Sequence, residues 1–376
     1  MPNYNSVLFL RSNPIDPDPR VEKAATALGN YGYTVRILGW DRSASLKEFD
    51  SAYQVPIQRL GFQADYGTGL QNFPALLRWQ WGLFHWLILH REEIDIIHAC
   101  DFDTVIPALF MKLLWGKKVI YDIFDFYADH LRATPGWVKS LIRFVDRRCV
   151  GWADSVILVD NARINQIGGT KSKKFVVINN TPPDVLPKLL KNKNNSQSDL
   201  FRIAYVGLLQ IERGLIEILN VMQKHPEWTL TLAGYGGDEI RIKERASEME
   251  NVKWYGRVSY ERALELSFQA DVLFATYDPD IPNHQYASPN KLFEAMMLGK
   301  PIIVARNTNI DHIVEDEDCG LIIKYGDTDQ LDQALISLFE NSKRRDLMGS
   351  NGRKAYEEKY AWKVMESRLI EMYSSF

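Results

Sequence analysis

The sequence predicts an α/β protein with two domains, each built on a parallel β-sheet. Short apolar, β-branched runs alternate with amphipathic helical stretches along most of the chain, which is typical of strands covered by helices on both faces. The length of 376 residues is too great for one ordinary core and fits two domains of about 150–200 residues each. A polar stretch, residues 191–199, interrupts the alternation near the middle of the chain.

The first series of strands and helices fills residues 1–183, which we predict as the N-terminal domain. Its helical stretches are Arg20–Tyr31, Phe73–His90, Thr104–Trp115 and Gly136–Gly151. Its strand-like runs are Ser6–Ser12, Thr34–Trp40, Val55–Phe62, Ile94–Cys100, Lys118–Phe124, Ser155–Asp160 and Phe175–Asn180. Strands and helices in this order form a doubly wound, Rossmann-like sheet.

A linker, predicted over residues 184–200, follows the Thr181-Pro182-Pro183 sequence. The second Rossmann-like domain is predicted over residues 201–358, and residues 359–376 are predicted as a C-terminal segment with a helix over Trp362–Tyr373. The strand-like runs of the second domain are Phe201–Gly207, Leu230–Gly234, Val252–Val258, Asp271–Tyr277, Pro301–Arg306 and Gly320–Tyr325. In such sheets ligands bind outside the carboxyl ends of the strands.

The composition is that of a globular protein without a nucleic-acid-binding charge. Apolar residues make up 46% of the chain and charged residues 25%, with a net charge of −3. The cysteines Cys100, Cys149 and Cys319 lack metal-binding spacing, and are typical of buried thiols in a reducing compartment. The chain enters a strand almost at once, so we expect no signal peptide. We therefore expect a cytoplasmic protein, soluble or peripheral on the inner face of the membrane.

The most informative stretch of the sequence is Tyr286–Ala305. Ser288 and Pro289 are a helix-start signal, with Ser288 as the cap, and Gly299 closes the helix before a buried strand. The N-terminal end of such a helix carries free N–H groups and a partial positive charge, which suit a diphosphate. Glu294 lies in the second turn, within reach of a sugar hydroxyl. An ordinary helix–strand unit with a solvated Glu is the alternative.

This stretch closely resembles the donor-site segment of GT-B glycosyltransferases of family 4. In that family a Glu before Ala-Met-x-x-Gly-x-Pro-x-Ile/Val binds the nucleotide ribose, and Glu294 occupies that position. The resemblance covers nearly the whole chain. It implies the GT-B fold, in which an acceptor-side N-terminal domain and a nucleotide-sugar-binding C-terminal domain face each other across a cleft and a C-terminal helix crosses back to the N-terminal domain.

A second match lies in the strand, loop and helix start of Tyr205–Leu215. In family 4 this loop reads Gly-Arg and then Lys-Gly, and the two cations hold the donor diphosphate. Here Gly207 is followed by Leu208 in place of the first cation, while Arg213 matches the second. The resemblance implies that Arg213, with Lys291, stabilises the leaving diphosphate. The alternative is a surface arginine near a helix N-terminus.

Other positions of the C-terminal domain resemble the donor site less specifically. Gly234 lies in a glycine-rich turn, Ala233–Asp238, that resembles the Ala-Gly-x-Gly turn of the family. Arg257 and Val258 match a segment whose backbone meets the nucleobase; the Arg257 side chain either contacts the base or is a surface charge. An acidic residue usually precedes the ribose Glu by eight positions, but Tyr286 stands there, with Asn290 nearby. These residues complete our predicted donor-binding set.

The N-terminal domain offers fewer matches. His98 and Asp101 stand at a strand end that resembles the His-Ala-x-Asp of the family. Phe124 replaces the usual active-site His, and the following Asp125 is retained, so we predict Asp125 as a catalytic residue that orients the acceptor hydroxyl. Arg20, His98 and Asp101 are acceptor-side candidates. The alternative for both aspartates is that each caps the following helix.

No metal or cofactor is predicted. The sequence contains the triplets Asp16-Pro-Asp18, Asp101-Phe-Asp103 and Asp278-Pro-Asp280, and such triplets bind a divalent metal in other transferase folds. Short acidic triplets in loops are common by chance, and the resemblance implies that protein cations hold the diphosphate. The nucleotide-diphosphate sugar would be a co-substrate.

Aromatic and basic residues mix in two predicted helices, as they do at anionic lipid interfaces. One group is Arg78, Trp79, Trp81 and Trp86, and the other is Trp137, Lys139, Arg143, Arg147 and Arg148. The alternative is that the tryptophans belong to the core and that the basic run is a solvated face.

The resemblance implies a retaining, metal-independent hexosyltransferase that moves a sugar from a nucleotide-diphosphate sugar to a hydroxyl acceptor, in glycan, polysaccharide or glycolipid synthesis. The expected partners are a nucleotide sugar and a carbohydrate or lipid-linked acceptor, with no nucleic acid. Phe124, Tyr286 and Leu208 leave an alternative open, a catalytically silent sugar-nucleotide-binding or scaffold protein of the same fold.

Overall fold

The computed structural model describes residues 4–50, 55–64, 72–131, 134–169, 174–191, 200–286 and 288–376. The chain forms two compact units. Unit 1 comprises Met1–Asn179 together with Met365–Phe376, and unit 2 comprises Asn180–Val364.

The described part of unit 1 contains an eight-stranded sheet in the order β3-β4-β2-β1-β5-β6-β7-β8. All neighbours are parallel except the short antiparallel pair β3–β4 at one edge. The strands are β1 (Ser6–Arg11), β2 (Thr34–Asp41), β3 (Phe49–Asp50), β4 (Ile57–Gly61), β5 (Ile96–Cys100), β6 (Lys118–Ile123), β7 (Ser155–Leu158) and β8 (Phe175–Val177).

Helices connect the parallel strands of unit 1, because a parallel pair requires a crossover. They are α1 (Pro19–Tyr31), α2 (Phe73–Leu89), α3 (Phe102–Trp115), α4 (Tyr127–His130), α5 (Gly136–Trp152) and α6 (Arg163–Gln166). Helix α1 shows the local signals: the Asp18 side chain accepts from the Val21 N–H at 3.3 Å, and Gly32 ends the helix with φ of 113°.

Unit 2 contains, in its described residues, a six-stranded sheet in the order β11-β10-β9-β12-β13-β14 with every pair parallel. The strands are β9 (Arg202–Leu208), β10 (Thr229–Tyr235), β11 (Val252–Gly256), β12 (Val272–Ala275), β13 (Ile302–Ala305) and β14 (Gly320–Ile323). The helices are α7 (Leu186–Lys191), α8 (Leu215–Lys224), α9 (Glu239–Ser247), α10 (Tyr260–Gln269), α11 (Asn290–Leu298), α12 (Ile310–Asp316), α13 (Thr328–Glu340) and α14 (Ser342–Ala355).

The strand order reverses once in each sheet. The reversal lies between β1 and β5 in unit 1 and between β9 and β12 in unit 2. Connections leave the sheet in opposite directions at such a point and open a crevice at the carboxyl edge. In each unit, the residues that follow these strands are therefore the first place to look for a ligand.

The predicted linker contains a helix. Residues 186–191 form α7, and Val185, Leu186 and Leu189 pack against the core of unit 2. Apolar side chains three positions apart on a helical turn give this segment a face to bury. The rest of the polar run, residues 192–199, lies outside the described residues.

The predicted cap of α11 is wrong. The helix begins at Asn290, the residue before it is Pro289 in an extended conformation, and no side chain caps the end. Ser288 lies one position too early for the cap, and its carbonyl accepts a hydrogen bond from the Asn180 side chain at 3.3 Å. Ala287, within the stretch singled out above, lies outside the described residues.

The end of the chain belongs to unit 1. A π-helical turn, Tyr356–Tyr360, precedes the last helix α15 (Trp362–Ser374). Met365, Leu369, Met372 and Tyr373 are its buried residues. The Tyr373 hydroxyl hydrogen-bonds to His98 Nδ1 at 2.7 Å, across 275 positions of sequence. The predicted final helix thus completes the core of unit 1.

Two of the tryptophans proposed for a lipid interface are core residues. Trp79 and Trp86 are buried, and Trp79 stacks on Trp40 with ring centroids 5.1 Å apart. Helix α2 is apolar on nearly every side, so its sequence does not identify the inward face. In the part of the chain that the structure describes, no helix combines the length and apolarity needed to cross a membrane.

Asp146 on α5 makes the stability of the protein depend on pH. Burial raises the pKa of its carboxyl group from 3.8 to about 7, and the Tyr121 hydroxyl donates to Oδ1 at 2.7 Å. The folded protein binds this proton more tightly than the unfolded chain does. The free energy of unfolding therefore falls as the pH rises from about 4 through about 7, by roughly 4 kcal/mol at most.

We expect Asp146→Asn to remove most of this pH dependence, because the amide does not titrate. Urea unfolding of both proteins between pH 4.5 and 8 checks this. The control is Glu92→Gln, whose side chain is 82% exposed. Equal pH slopes for Asp146→Asn and the native protein would contradict the assignment.

Candidate functional site

The turn that carries Arg213 lies at the carboxyl edge of unit 2, after β9. Ile211–Arg213 forms one 3-10 turn, and Gly214, with φ of 70°, leads directly into α8. The Thr276 hydroxyl donates to the Arg213 carbonyl at 3.1 Å, and the Asp238 carboxylate accepts from the Ile211 N–H at 2.9 Å. Residues after β12 and β10 therefore fix this turn from both sides.

Arg213 itself faces an aromatic ring. Its guanidinium carbon lies 4.3 Å from the centroid of the Tyr277 ring, and Nε donates to Gln210 Oε1 at 3.4 Å. A guanidinium on an aromatic face retains its charge and its in-plane N–H donors. Arg213 is thus a positioned cation at the reversal of strand order.

Lys291 is a second cation at the same edge, in the first turn of α11. Its ammonium lies 4.6 Å from the centroid of the Tyr205 ring. Burial acts to lower the pKa of Lys291, but the neighbouring Tyr205, Tyr277 and Glu294 outweigh it, and the pKa is raised. Gly207 makes room for this side chain, because a Cβ at that position would overlap Lys291 Nζ.

The two cations share neighbours, and the charge of Glu294, one helical turn away, also acts on the pKa of Lys291. Arg213 acts on the pKa of Lys291 through its charge, and Tyr277 is near both. Within the described ranges, no ion pair includes either residue. Two cations that form no ion pair within the described residues leave a local excess of positive charge, which an anionic ligand would relieve.

Glu294 lies one turn after Lys291 on α11 and is half-buried. Its Oε1 accepts a hydrogen bond from the Tyr260 hydroxyl at 2.9 Å. The carboxylate is therefore held in place by the neighbouring helix α10. The structure brings Glu294 and Lys291 onto one short helix, as the sequence predicted.

Gly207 and Gly234 are opposite each other in β9 and β10. A Cβ on Gly234 would overlap the Gly207 carbonyl oxygen, so only glycine fits there. The remaining predicted donor residues are more exposed. Arg257 lies over the Tyr235 ring at 4.8 Å. Asn290 is exposed, and Val258 and Tyr286 are half-buried.

In unit 1, Asp101 fixes the loop that follows β6. Its Oδ1 accepts from the Phe124 N–H at 2.8 Å and the Asp125 N–H at 3.4 Å, and Oδ2 pairs with Arg11. Burial raises the pKa of Asp101 to about 6. The Asp101 side chain stands at the start of α3 without capping it, so the alternative of a helix cap does not apply to Asp101.

His98 is enclosed by the core of unit 1. Its Nε2 lies 3.3 Å from Asp122 Oδ2, its Nδ1 contacts Tyr373, and Phe9 stacks on its ring at 4.2 Å. Burial lowers the pKa of His98, so the ring is neutral at physiological pH. It has no exposed surface for a ligand in this structure.

Arg20 and Asp125 are each held by an opposite charge. Arg20 pairs with the buried Asp122 at 2.8 Å, and Asp125 pairs with the buried Arg163 at 2.9 Å. Two guanidinium groups face Phe124: the Arg11 carbon lies 4.1 Å from the ring centroid and the Arg20 carbon 4.8 Å. Phe124, which stands where family 4 usually has a histidine, is thus packed against two cations.

Sequence reasoning missed Arg11, Asp122, Arg163 and Tyr260. Arg11 and Asp122 are charged residues within apolar strands. That pattern indicates buried ion pairs and could have been recognised from the sequence. Arg163 and Tyr260 stand on helices without a motif, so no local pattern indicates their partners.

Both halves of the chain match family profiles. Residues 17–177 match the profile described as "Glycosyl transferase 4-like domain". Residues 188–355 match the profile described as "Glycosyl transferases group 1". The matches follow one another along the chain and cover most of both units.

Three known proteins show similarity to this chain. CapM, a capsular polysaccharide biosynthesis glycosyltransferase of Staphylococcus aureus, is 24% identical over 229 residues, 55% of this chain and 53% of CapM. Sucrose-phosphate synthase from Thermosynechococcus elongatus aligns with a TM-score of 0.79 at 16% identity, over 99% of both chains. Anabaena HepE in complex with UDP aligns with a TM-score of 0.72 at 16% identity, over 99% of this chain and 100% of HepE.

The fold and the profile matches define a glycosyltransferase with the GT-B fold. Within that class the chain belongs to the family-4-like group 1 glycosyltransferases. This confirms the family resemblance, the fold class and the enzyme class predicted from the sequence. The matched region spans only about half of CapM, so donor and acceptor are argued below from the site itself.

The Arg213 turn depends on Gly214. A Cβ there would overlap the Thr276 hydroxyl, and the φ of 70° is unfavourable for any side chain. We expect Gly214→Ala to lower the free energy of unfolding by about 1–3 kcal/mol. The control is Gly237→Ala, where nothing lies within 4 Å of the added carbon. Chemical denaturation measures both, and equal stabilities would count against the tight packing of the turn.

Proposed function

We propose that the protein transfers a sugar from a nucleoside diphosphate sugar to a hydroxyl acceptor, with retention of configuration and without a metal ion. The product would be a glycan, polysaccharide or glycolipid. The observation that carries this proposal is the pair of cations, Arg213 and Lys291, that share Tyr277 as a neighbour and have no acidic partner among the described ion pairs.

A nucleoside diphosphate fits the charge and the geometry of this edge. Arg213 precedes α8 and Lys291 lies in the first turn of α11, so backbone N–H groups of two helix starts add to the side-chain charge. Gly207 lets the Lys291 side chain lie against the end of β9, and Gly234 lets the backbones of β9 and β10 approach closely there. Glu294, one turn further, would accept the hydroxyl groups of the ribose. The complex of HepE with UDP supports a nucleotide at this fold.

The chemistry follows from the charge that develops on the leaving group. As the bond between the sugar anomeric carbon and the diphosphate oxygen breaks, negative charge grows on the diphosphate. Arg213 and Lys291 would stabilise that charge, a role that a metal ion has in other folds. The acceptor oxygen then bonds to the anomeric carbon on the face that the diphosphate leaves. Because attack and departure take place on the same face, the configuration is retained. The proton of the acceptor hydroxyl passes to a phosphate oxygen, so no protein base is required.

Asp125 remains our candidate for orienting the acceptor hydroxyl. Its side chain is 46% exposed and accepts from Arg163. A carboxylate accepts hydrogen bonds from hydroxyl groups. Phe124 occupies the place of the usual histidine beside it. The acceptor would therefore be oriented by a carboxylate without an imidazole.

We expect Arg213→Ala to lower kcat/KM by about 10²–10³-fold, because one donor to the developing negative charge is lost. Steady-state kinetics with a panel of uridine, guanosine and adenosine diphosphate sugars measure this. Arg262→Ala is the matched control, since Arg262 pairs with Glu265 on the surface of α10. An unchanged rate for Arg213→Ala would contradict the phosphate role. Nucleotide binding without turnover for every donor and acceptor would indicate a silent binding protein instead.

We further propose that unit 1 contacts a membrane that carries a lipid-linked acceptor. Helix α3 packs against both α2 and α5, so these three helices form one continuous surface. The most exposed large apolar residues of this surface are Leu113 at 78%, Trp81 at 74% and Trp137 at 73%. The other exposed apolar residues of the three helices are Phe73, Leu77, Leu89, Phe110, Leu114, Trp115, Leu141, Phe144 and Trp152.

The charges on this three-helix surface favour anionic lipid. The acidic residues of the three helices, Asp103 and Asp146, are both buried. Arg78, Arg147 and Arg148 are exposed. An apolar patch of this extent with exposed cations and without exposed acids is typical of an interfacial surface. The lipid would hold the enzyme where a lipid-linked acceptor is concentrated.

We expect the protein to bind vesicles that contain phosphatidylglycerol and to bind pure phosphatidylcholine vesicles less tightly. The double variant Leu113→Glu/Trp137→Glu should reduce sedimentation with the anionic vesicles at least ~10-fold, because it places two like charges at the lipid surface. Leu347→Glu is the control, at an exposed leucine on α14 in unit 2. If the native protein does not bind vesicles but forms a dimer, and the double variant disrupts that dimer, the surface would instead be assigned to self-association.

A further inference from the structure

Tyr260 contacts Glu294 from a fixed position. It is the first residue of α10, and the Ser259 side chain caps this helix by accepting from the Arg262 N–H at 3.3 Å. Helix α10 packs against α11, which carries Glu294. The hydroxyl of Tyr260 then donates to Glu294 Oε1 at 2.9 Å. The contact therefore joins the start of α10 to the middle of α11.

The bond has a defined direction. Partial burial and the Glu294 carboxylate raise the pKa of Tyr260 far above its ordinary value of 10.0. The hydroxyl therefore remains protonated at physiological pH and donates to the carboxylate. A hydrogen bond to a charged acceptor is shorter and stronger than one between neutral groups. The Tyr260 hydroxyl is thus a neutral donor to the Glu294 carboxylate.

The same bond limits the rotation of the Glu294 carboxylate. The last torsion of a glutamate is broad when nothing restrains it, so the two oxygens sample many orientations. With Oε1 fixed by Tyr260, the plane of the carboxylate is set before a ligand arrives. Recognition of two adjacent hydroxyl groups depends on that plane, because each hydroxyl needs an oxygen along its own direction.

We infer that Tyr260 is a positioning residue that orients Glu294 toward the vicinal hydroxyl groups of the nucleotide ribose and so increases discrimination between ribose and deoxyribose. The inference rests on the proposed function, in which Glu294 binds the ribose. Tyr260 acts through Glu294. Its loss should therefore weaken the binding of a ribonucleotide more than that of a nucleotide that lacks one of the two hydroxyl groups.

Isothermal titration calorimetry tests this with uridine, guanosine and adenosine diphosphate and with the 2′-deoxy and 3′-deoxy forms of whichever binds. The proteins are the native chain, Tyr260→Phe, Glu294→Gln and the double variant. We expect Tyr260→Phe to lower the affinity for the ribonucleotide about 3–10-fold and that for the deoxy forms less than about 2-fold. In the Glu294→Gln background the same change should have little further effect, because the two residues act as a unit.

Tyr255→Phe is the matched control. Tyr255 is 41% exposed and Tyr260 is 39% exposed, and both are tyrosines of unit 2. We expect Tyr255→Phe to leave both affinities unchanged, and melting temperatures check that every variant is folded.

The outcomes separate the inference from the proposal on which it rests. If the native chain binds none of the three ribonucleotides, the proposed function fails. If the native chain binds and Tyr260→Phe binds with equal affinity, only the role of Tyr260 fails. Equal weakening for ribose and deoxyribose forms would show a general structural role and would also overturn the inference.

Discussion

The site of unit 2 depends on the parallel alignment of its strands. Because all six described strands run in the same direction, their carboxyl ends share one edge, and the reversal between β9 and β12 separates the connections there. The turn with Arg213 and the start of α11 with Lys291 both follow from that arrangement. Two cations come close together although 78 positions separate them in the sequence. Helix starts and bare glycine backbone complete an edge that suits a diphosphate.

The same edge explains why particular small residues are present. Gly207 accommodates Lys291, Gly214 accommodates Thr276, and Gly234 accommodates the backbone of the next strand. Lys291 forms no ion pair within the described residues, and its ammonium lies over the face of the Tyr205 ring. An anionic ligand would supply a counter-charge to Lys291 and Arg213 together.

Unit 1 uses its carboxyl edge differently. Its charged residues pair with one another: Arg11 with Asp101, Arg20 with Asp122 and Asp125 with Arg163. Such pairs fix loops and leave little charge for a phosphate. The distinctive surface of this unit is instead the apolar face of α2, α3 and α5, with its exposed cations. The two units thus present different chemistry: positive charge at a strand edge in one, and an apolar helical surface in the other.

The alternation of strands and helices, the family and the helix that carries Lys291 and Glu294 were all predictable from the sequence, because periodicity and motif spacing are local. The tertiary structure decided what each side chain contacts. It paired His98 with Tyr373 and Tyr260 with Glu294, and it buried Trp79 while exposing Trp81. An all-apolar helix has no sequence signal for its inner face, and contacts between distant residues depend on packing, which local pattern does not encode.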